Sequence, residues 1–367
     1  MKVLAAMSGG VDSAMAAALA VEAGHEVTGV HMALLRNRQI FREGSRGCCS
    51  IEDSLDARRV ADKLGIPFYV WDLSEEFADL VVADFLAEYS KGRTPNPCIR
   101  CNEHVKFEIL ATRAQALGFD AVATGHYARL IPGNNGVVEL HRSNNLPKDQ
   151  SYVLAAAGPE RLHHCYFPLG DFYTKAEVRE QAAKRGLAVS NKPDSYDICF
   201  IPDGDTRGFL RERLGAKKGP ILDVSGVQVG EHDGAYAYTV GQRKGLALGR
   251  PAADGLPRYV VSTDPSRNIV VVGGREHLVV TSIKGSDPVW YLDKPPGPHS
   301  QDSAGVAVTV QVRAHGREVS ARMFATADGA VQFDLVGDML AGIAAGQSIV
   351  AYQGTRVVAQ ATVGQSG

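Results

Sequence analysis

The chain has 367 residues, 45% of them hydrophobic and 22% charged, with a formal net charge of -2. That length predicts two or three domains, and no run of about 18 apolar residues is present to span a bilayer. The near balance of charge excludes a protein that coats nucleic acid unselectively but leaves room for a local basic face, and the opening "MKVLAAMSGG" is a poor secretory leader, so a cytoplasmic, reducing location is expected.

In chain order, "KVLAAM" reads as a buried strand, "DSAMAAALAVEAG" as an alanine-rich helix ending at Gly24, and "HEVTGVHM" as the next strand. "SIEDSLDARRVADKLG" opens with Ser50 and Asp53 in capping-box spacing and stops at Gly65, before the apolar "IPFYVWDL". "EHVKFEILATRAQALG" reads as a helix leading to "FDAVATGH", and "TKAEVREQAAKRG" carries a second capping box, Thr174 with Glu177. Strand-helix alternation of this kind predicts an α/β fold, a parallel sheet with helices on both faces. From about residue 219 short alternating segments take over: "RYVVSTDPSRNIVVVGG" reads as a hairpin and "VAVTVQVRAHGREVSARMFATADGAVQFDLV" as successive strands. The expected organisation is a first domain at 1–205, a central basic, mainly-β domain at 206–275, and a C-terminal β-barrel at 276–367. The central part is locally basic: "RGFLRERLGAKKG" sets Arg207, Arg211, Arg213, Lys217 and Lys218 against Glu212 alone, and "GQRKGLALGR" adds Arg243, Lys244 and Arg250.

Between the first strand and the first helix lies "SGGVDS", Ser8 to Ser13. Consecutive glycines let the backbone approach an anion, serine hydroxyls donate to it, and the following helix aims its free N–H groups at the same point. Without a lysine this is not a Walker loop, nor is it the G-x-G-x-x-G fingerprint. The plainer alternative is a glycine-rich turn with Asp12 or Ser13 as N-cap. The loop resembles the pyrophosphate loop of adenylating ATP pyrophosphatases, which implies transfer of AMP to a carbonyl oxygen so that a nucleophile can displace it. At this point the nucleophile is open: ammonia, an amino acid or sulfur.

Six cysteines stand at 48, 49, 98, 101, 165 and 199. Cys98 and Cys101 lack the second pair that a zinc site needs, and they follow a proline-rich loop rather than the strand of a thioredoxin-like dithiol. A helix starting near Asn102 would put Cys101 at its positive end, with Lys106 a turn further on, favouring the thiolate. Cys199 in "DICFI" fits a buried inert thiol as well as a reactive one. Cys48 and Cys49 read as structural, Cys165 as a buried strand residue, and His163 with His164 as a half-exposed loop pair.

Taken together, "AMSGGVDS", "GCCSIEDSLDARRVADKLGIPFYV", "GRTPNPCIRCNEHVKF", "ATGHYAR", "KDQSY", "KPDSYDICFI" and "YTVGQRKGLALG" resemble the tRNA-specific 2-thiouridylase family (MnmA, also called TrmU) over nearly the whole chain. The resemblance implies that ATP, with Mg2+, adenylates the 2-carbonyl oxygen of the wobble uridine in a tRNA anticodon loop, after which sulfur replaces the oxygen. It implies that Ala6, Met7, Ser8, Gly9, Gly10, Val11, Asp12 and Ser13 bind the nucleotide, with Met32 and Gly125. Cys199 matches the residue that carries a persulfide received from a sulfur-donor protein, such as a cysteine desulfurase or a relay, and Cys101 matches the nucleophile. Asn96, Pro97, Cys98, His126, Lys148, Asp149, Gln150 and Gln347 match positions facing tRNA. Many relatives have aspartate where this chain has Cys98, and a thiol exchanges protons less dependably than a carboxylate near neutral pH. The substitution also opens an alternative, an iron-sulfur cluster held by Cys98, Cys101 and Cys199. A rival class is an amidating synthetase, which explains the glycine loop but neither the paired cysteines nor the basic stretches; a non-enzymatic nucleotide-binding module is a further option. The basic central segment and the β modules are then expected to grip the tRNA stem.

Overall fold

The computed structural model describes residues 1–35, 51–133, 136–194, 198–246, 248–249, 254–298 and 304–366. Cys48, Cys49 and the Ser50 end of the first capping box lie outside the described residues. Two compact units divide the chain: Met1–Val82 with Pro97–Gly204 and Thr355–Val357, and Ala83–Asn96 with Asp205–Gly354 and Val358–Gly367. Among the described residues no helix is long and apolar enough to cross a membrane.

The first unit is built on strands β1 (Lys2–Ala6), β2 (Glu26–Ala33), β3 (Phe68–Asp72) and β4 (Ala121–Ala123), the hairpin β5 (Ala128–Pro132) and β6 (Val138–Arg142), and β7 (Cys165–Tyr166). Its five-stranded sheet runs β3-β2-β1-β4-β7, with every pairing parallel. Side chains alternate across a strand, so β1 serves two cores. Val3 and Ala5 join Val27, Ala123 and helices α1 (Val11–Glu22), α2 (Ile51–Leu64) and Lys175–Lys184 on one face. Leu4 and Ala6 join Val30, Val122, Leu110 and Ala114 on the other. Burial on both faces is why "VLAA" after the exposed Lys2 is apolar without a break. The alanines of α1 (Ala14, Ala16, Ala17, Ala18 and Ala20) are all buried, and their small side chains admit the helix close to the sheet. The Thr174 cap is as expected, its hydroxyl accepting from Glu177 N–H at 3.1 Å.

The helix carrying the paired cysteines differs from expectation. It starts at Pro97, not near Asn102, and Arg100 is already helical (φ -60°, ψ -40°). Asn96 followed by Pro97 is the start signal: a good N-cap type, then a proline whose fixed φ suits the first helical position. Cys101 therefore sits in the second turn, where the dipole has faded, and Cys98 occupies the first. Residues Cys101–Leu110 are wound wider, as π-helix, before α-helix resumes at Ala111.

In the second unit, β8 (Gly219–Asp223), β9 (Gln228–His232), β10 (Tyr259–Asp264) and β11 (Ile269–Gly273) form a sheet ordered β10-β11-β8-β9. The expected hairpin is the β10–β11 pair, with a bulge between Val260 and Ser262. Ile221, Tyr238, Val260, Val270 and Val272 make its core. The strands Ser282–Trp290, Val331–Leu335, Val319–Ala325, Val306–Gln311, Ser348–Gln353 and Arg356–Ser366 are neighbours in that order, and the last pairs back onto the first, closing a barrel. Ile283, Val310, Met323, Phe333, Ile349 and Val358 fill it.

Candidate active site

The sheet order places the chain reversal between β1 and β4, the switch point at which α/β sheets hold ligands beyond their carboxyl ends. The loop after β1 and the loop after β4 meet there closely. A side-chain carbon on Gly125 would stand 2.5 Å from the Asp12 carbonyl carbon and 2.6 Å from Ser13 N. Gly9, at φ +79°, has the Asp53 carbonyl oxygen 2.2 Å from where its Cβ would be. Glycine at both positions lets these backbone segments pack this closely around the cradle.

Helix α1 begins at Val11 with Gly10 as N-cap and no side-chain capping bond. Asp12 and Ser13, the cap candidates of the plainer reading, are inside the first turn instead. Ser13 Oγ accepts from Ser8 N–H at 3.1 Å and donates to Gly10 O at 3.1 Å, while Ser8 Oγ stands 3.2 Å from it. First-turn N–H groups without a side-chain cap, flanked by hydroxyls, make an anion cradle. Ala6 and Met7 lead into it, buried, and Met32 lies partly buried near the end of β2. All of the expected nucleotide-binding positions thus lie on β1, β2, α1 and the two loops at this edge.

A charge network surrounds the cradle that the sequence reading missed. Asp12 accepts from the Tyr127 hydroxyl at 2.7 Å and is paired with Lys175. Lys175 also reaches Asp194 at 3.2 Å, and Asp194 takes further contacts from Lys148 and Arg179, each at 2.8 Å. Burial, then the Asp12 charge and its hydrogen bond, push the Tyr127 phenol well above its ordinary value, leaving it a neutral donor. Burial raises the Asp194 carboxyl, but Lys148 and Lys175 outweigh it and hold the group below the usual carboxylate range. One local signal was available. Lys175 and Arg179 are cations in the first half of a helix, Lys175 at its first residue, where the dipole disfavours positive charge.

The expected tRNA-facing residues separate in the structure. The Asp149 carboxylate accepts from Arg142 Nη1 at 2.8 Å, Ser143 N at 2.9 Å and Ser151 Oγ at 2.7 Å, and Gln150 Oε1 accepts from Tyr127 N at 2.9 Å. Lys148 pairs with Asp194, so this run shapes the wall of the site from within. His126 is buried, its ring 5.7 Å from that of Phe107 and 5.8 Å from that of Phe167, with Nδ1 2.7 Å from Thr124 Oγ1. Gln347 belongs to the second unit, and its Oε1 is buried with no partner among the described residues.

Burial, then the nearby Lys106 ammonium, holds His126 well below its ordinary 6.5. The folded ring therefore stays neutral where the unfolded one gains a proton. Its contribution to stability is present above pH 6.5 and is lost as pH falls below that value. One such group adds a slope of about 1.4 kcal/mol per pH unit in this window. Urea unfolding at stepped pH should show a shallower acid decline in His126→Gln than in wild type.

Cys98 is exposed and Cys101 buried. Beside Cys101, Asn102 is fixed by Nδ2 donating to Val153 O at 3.1 Å, and its Oδ1 accepts from Lys106 at 2.9 Å. Cys199 is half-buried, and Phe200 next to it meets Phe77 edge to face at 5.9 Å. The Ser74–Phe77 helix touches the Cys101–Leu110 stretch as well, so one element abuts both cysteine-bearing segments. Neither Cys101 nor Cys199 is in a disulfide. Cys98, Cys101 and Cys199 do not converge: among the described residues no three His, Cys, Asp or Glu side chains stand where they would hold a metal ion. Burial raises the Cys165 thiol, which donates to Arg161 O at 3.5 Å.

Three family models match in succession, described as tRNA methyl transferase HUP domain over residues 1–203, tRNA methyl transferase PRC-barrel domain over 207–274, and Aminomethyltransferase beta-barrel domain over 280–363. Among curated relatives, a tRNA-specific 2-thiouridylase MnmA of Beutenbergia cavernae is 63% identical over 100% of this chain and 96% of its own length. Proteins of the same name from Kineococcus radiotolerans (59% identical, 99% of this chain, 98% of the relative) and Clavibacter sepedonicus (57%, 99% and 91%) are similar throughout. With relatives this similar from end to end, and a first unit that presents an uncapped glycine loop and cysteines outside any disulfide, the chain belongs to the tRNA-specific 2-thiouridylase (MnmA) family.

Proposed function

We propose that the protein is an ATP-dependent tRNA-uridine 2-sulfurtransferase acting in the cytoplasm on the wobble uridine of a tRNA anticodon loop. The observation that supports it best is the presence, in one compact unit, of an anion cradle at the sheet switch point and two cysteines outside any disulfide, on segments that share a neighbouring helix. The close packing that Gly9 and Gly125 allow shapes a loop that fits ATP phosphates, held by the N–H groups of α1 and the Ser8 and Ser13 hydroxyls; Mg2+ would travel on the phosphates. Bound there, ATP supplies AMP to the uridine 2-oxygen and makes it a leaving group.

The residues of this chain then handle sulfur. Cys199 carries a persulfide from the donor protein, and its terminal sulfur bonds to C2 as the oxygen departs with AMP. Cys101 attacks Cys199 Sγ and breaks the sulfur-sulfur bond. The base keeps one sulfur as the thione, the two cysteines close a disulfide, and an external thiol reduces it. Asn96, Pro97, Cys98 and His126 line the base end of this path, while Lys148, Asp149 and Gln150 brace the wall that His126 shares. The domains at 1–205, 206–275 and 276–367 divide the work between catalysis and grip, the second and third holding the stem, with Gln347 on the latter.

Nucleoside mass spectrometry on tRNA treated with ATP, a persulfide donor and the protein tests this reading. The expected product is 2-thiouridine, with cleavage of ATP to AMP and pyrophosphate stimulated by tRNA. A methylated nucleoside would instead support the methyl transfer that the names of the matching domain families carry, and cleavage indifferent to tRNA would support an amidating synthetase. The cluster alternative requires Cys98 as a ligand. Cys98→Asp is expected to retain thiolation, and its complete loss in that variant would favour the cluster.

A further inference from the structure

In the second unit the helix Thr206–Leu214 and the turn after β9 enclose a cavity of ≈ 230 Å³. That is smaller than the roughly 300–1,000 Å³ of pockets enclosing whole drug-sized ligands. Arg207 and Arg211 line it from successive turns of the helix, on one side, and Asp205, Asp233, Gly234 and Tyr236 complete the part that matters here. Both arginines are exposed, and neither pairs with a carboxylate among the described residues. The Arg207 guanidinium lies 4.8 Å from the ring centroid of buried Tyr238, which fixes its plane.

The two carboxylates are not equivalent. Asp205 Oδ1 accepts from Gly208 N–H at 2.8 Å as the helix N-cap, so its charge is answered by the helix terminus. Asp233 is exposed and has no such cap bond; its backbone carbonyl accepts from Lys217 N–H at 2.8 Å. The Tyr236 hydroxyl donates to Gly215 O and sets the ring as a wall. Planar guanidinium forks match phosphate oxygens, whereas a carboxylate beside them repels phosphate and needs a hydroxyl or N–H to accept from. An RNA backbone offers both within one nucleotide, because its ribose carries a 2′-hydroxyl.

We propose that this cavity seats one ribose-phosphate unit of the tRNA, the phosphate on Arg207 and Arg211 and the 2′-hydroxyl on Asp233. This rests on tRNA being the substrate. Fluorescence anisotropy of the full-length protein with substrate tRNA across a salt series tests it. Arg207→Ala with Arg211→Ala should weaken binding about tenfold and make the log-log salt slope shallower by about 1. Arg207→Lys with Arg211→Lys keeps the charge but loses the fork and should recover little of the affinity; it also serves if the alanine pair unfolds. Asp233→Ala should weaken tRNA binding yet not weaken binding of a DNA anticodon stem-loop, which has no 2′-hydroxyl to lose. Wild-type affinity in the lysine pair, or tighter tRNA binding by Asp233→Ala, would reduce the cavity to diffuse attraction and overturn the seat. The two readings fail differently: a wild-type protein that neither binds nor thiolates tRNA defeats the function itself, whereas normal wild-type behaviour with unaffected variants defeats only this site.

Discussion

Cys199→Ser and Cys101→Ser are each expected to abolish 2-thiouridine formation, with losses of roughly 10³-fold or more, because each removes a covalent participant rather than a contact. A serine hydroxyl at 199 cannot carry a persulfide, so no sulfur reaches the site. At 101 the hydroxyl is a poor nucleophile toward a disulfide sulfur, and the chain should stall with the base joined to Cys199. The two variants therefore differ in what they accumulate. Cys101→Ser should trap tRNA covalently, releasable by an added thiol, while Cys199→Ser should not. Neither thiol is in a disulfide in the structure, Cys101 being buried and Cys199 half-buried, so the expected disulfide has to form during turnover. Non-reducing peptide mapping after one turnover of wild type should find Cys101 joined to Cys199. Thiolated product from either variant at the wild-type rate would remove that cysteine from the mechanism.

The sheet was legible because parallel strands buried on both faces leave unbroken apolar runs, and "VLAA" and "AVA" are such runs. The cradle was legible because its chemistry is local, six consecutive residues between a strand and a helix. What sequence hid was long-range or directional. Asp12 and Lys175 are 163 residues apart, and nothing near either one names the other. Asp149 and Gln150 look like surface polar residues in "KDQSY", but their carboxylate and amide turn inward to Arg142, Ser143, Ser151 and the Tyr127 backbone. The misplaced helix start has a different cause. "CIRCN" reads as loop when the cysteines draw attention to chemistry, and the signal in Asn96-Pro97, which is conformational, goes unweighed. The correction matters for mechanism: it puts the exposed Cys98, not Cys101, nearest the helix terminus.

Gly125→Ala is expected to raise the Kd for ATP about tenfold or more and to lower stability by about 1–3 kcal/mol, the usual cost of overpacking. The new Cβ would stand 2.5 Å from the Asp12 carbonyl carbon and 2.6 Å from Ser13 N, and both are backbone atoms of α1 that cannot rotate aside. The cradle has to open, carrying away the N–H groups that would hold phosphate. Gly125 is absent from the positive-φ positions, so this cost is steric. Gly9→Ala should be worse, because it adds a left-handed backbone at φ +79° to a Cβ 2.2 Å from the Asp53 carbonyl oxygen. Gly24→Ala separates the two terms: φ is +77° but nothing lies within 4 Å, so it should cost only the roughly 1–2 kcal/mol of the left-handed conformation and leave ATP binding alone. Isothermal titration with ATP and urea unfolding of the three variants give both quantities. If Gly125→Ala binds ATP as wild type does while Gly24→Ala shows the expected backbone cost, the junction between the two loops is not where the nucleotide sits.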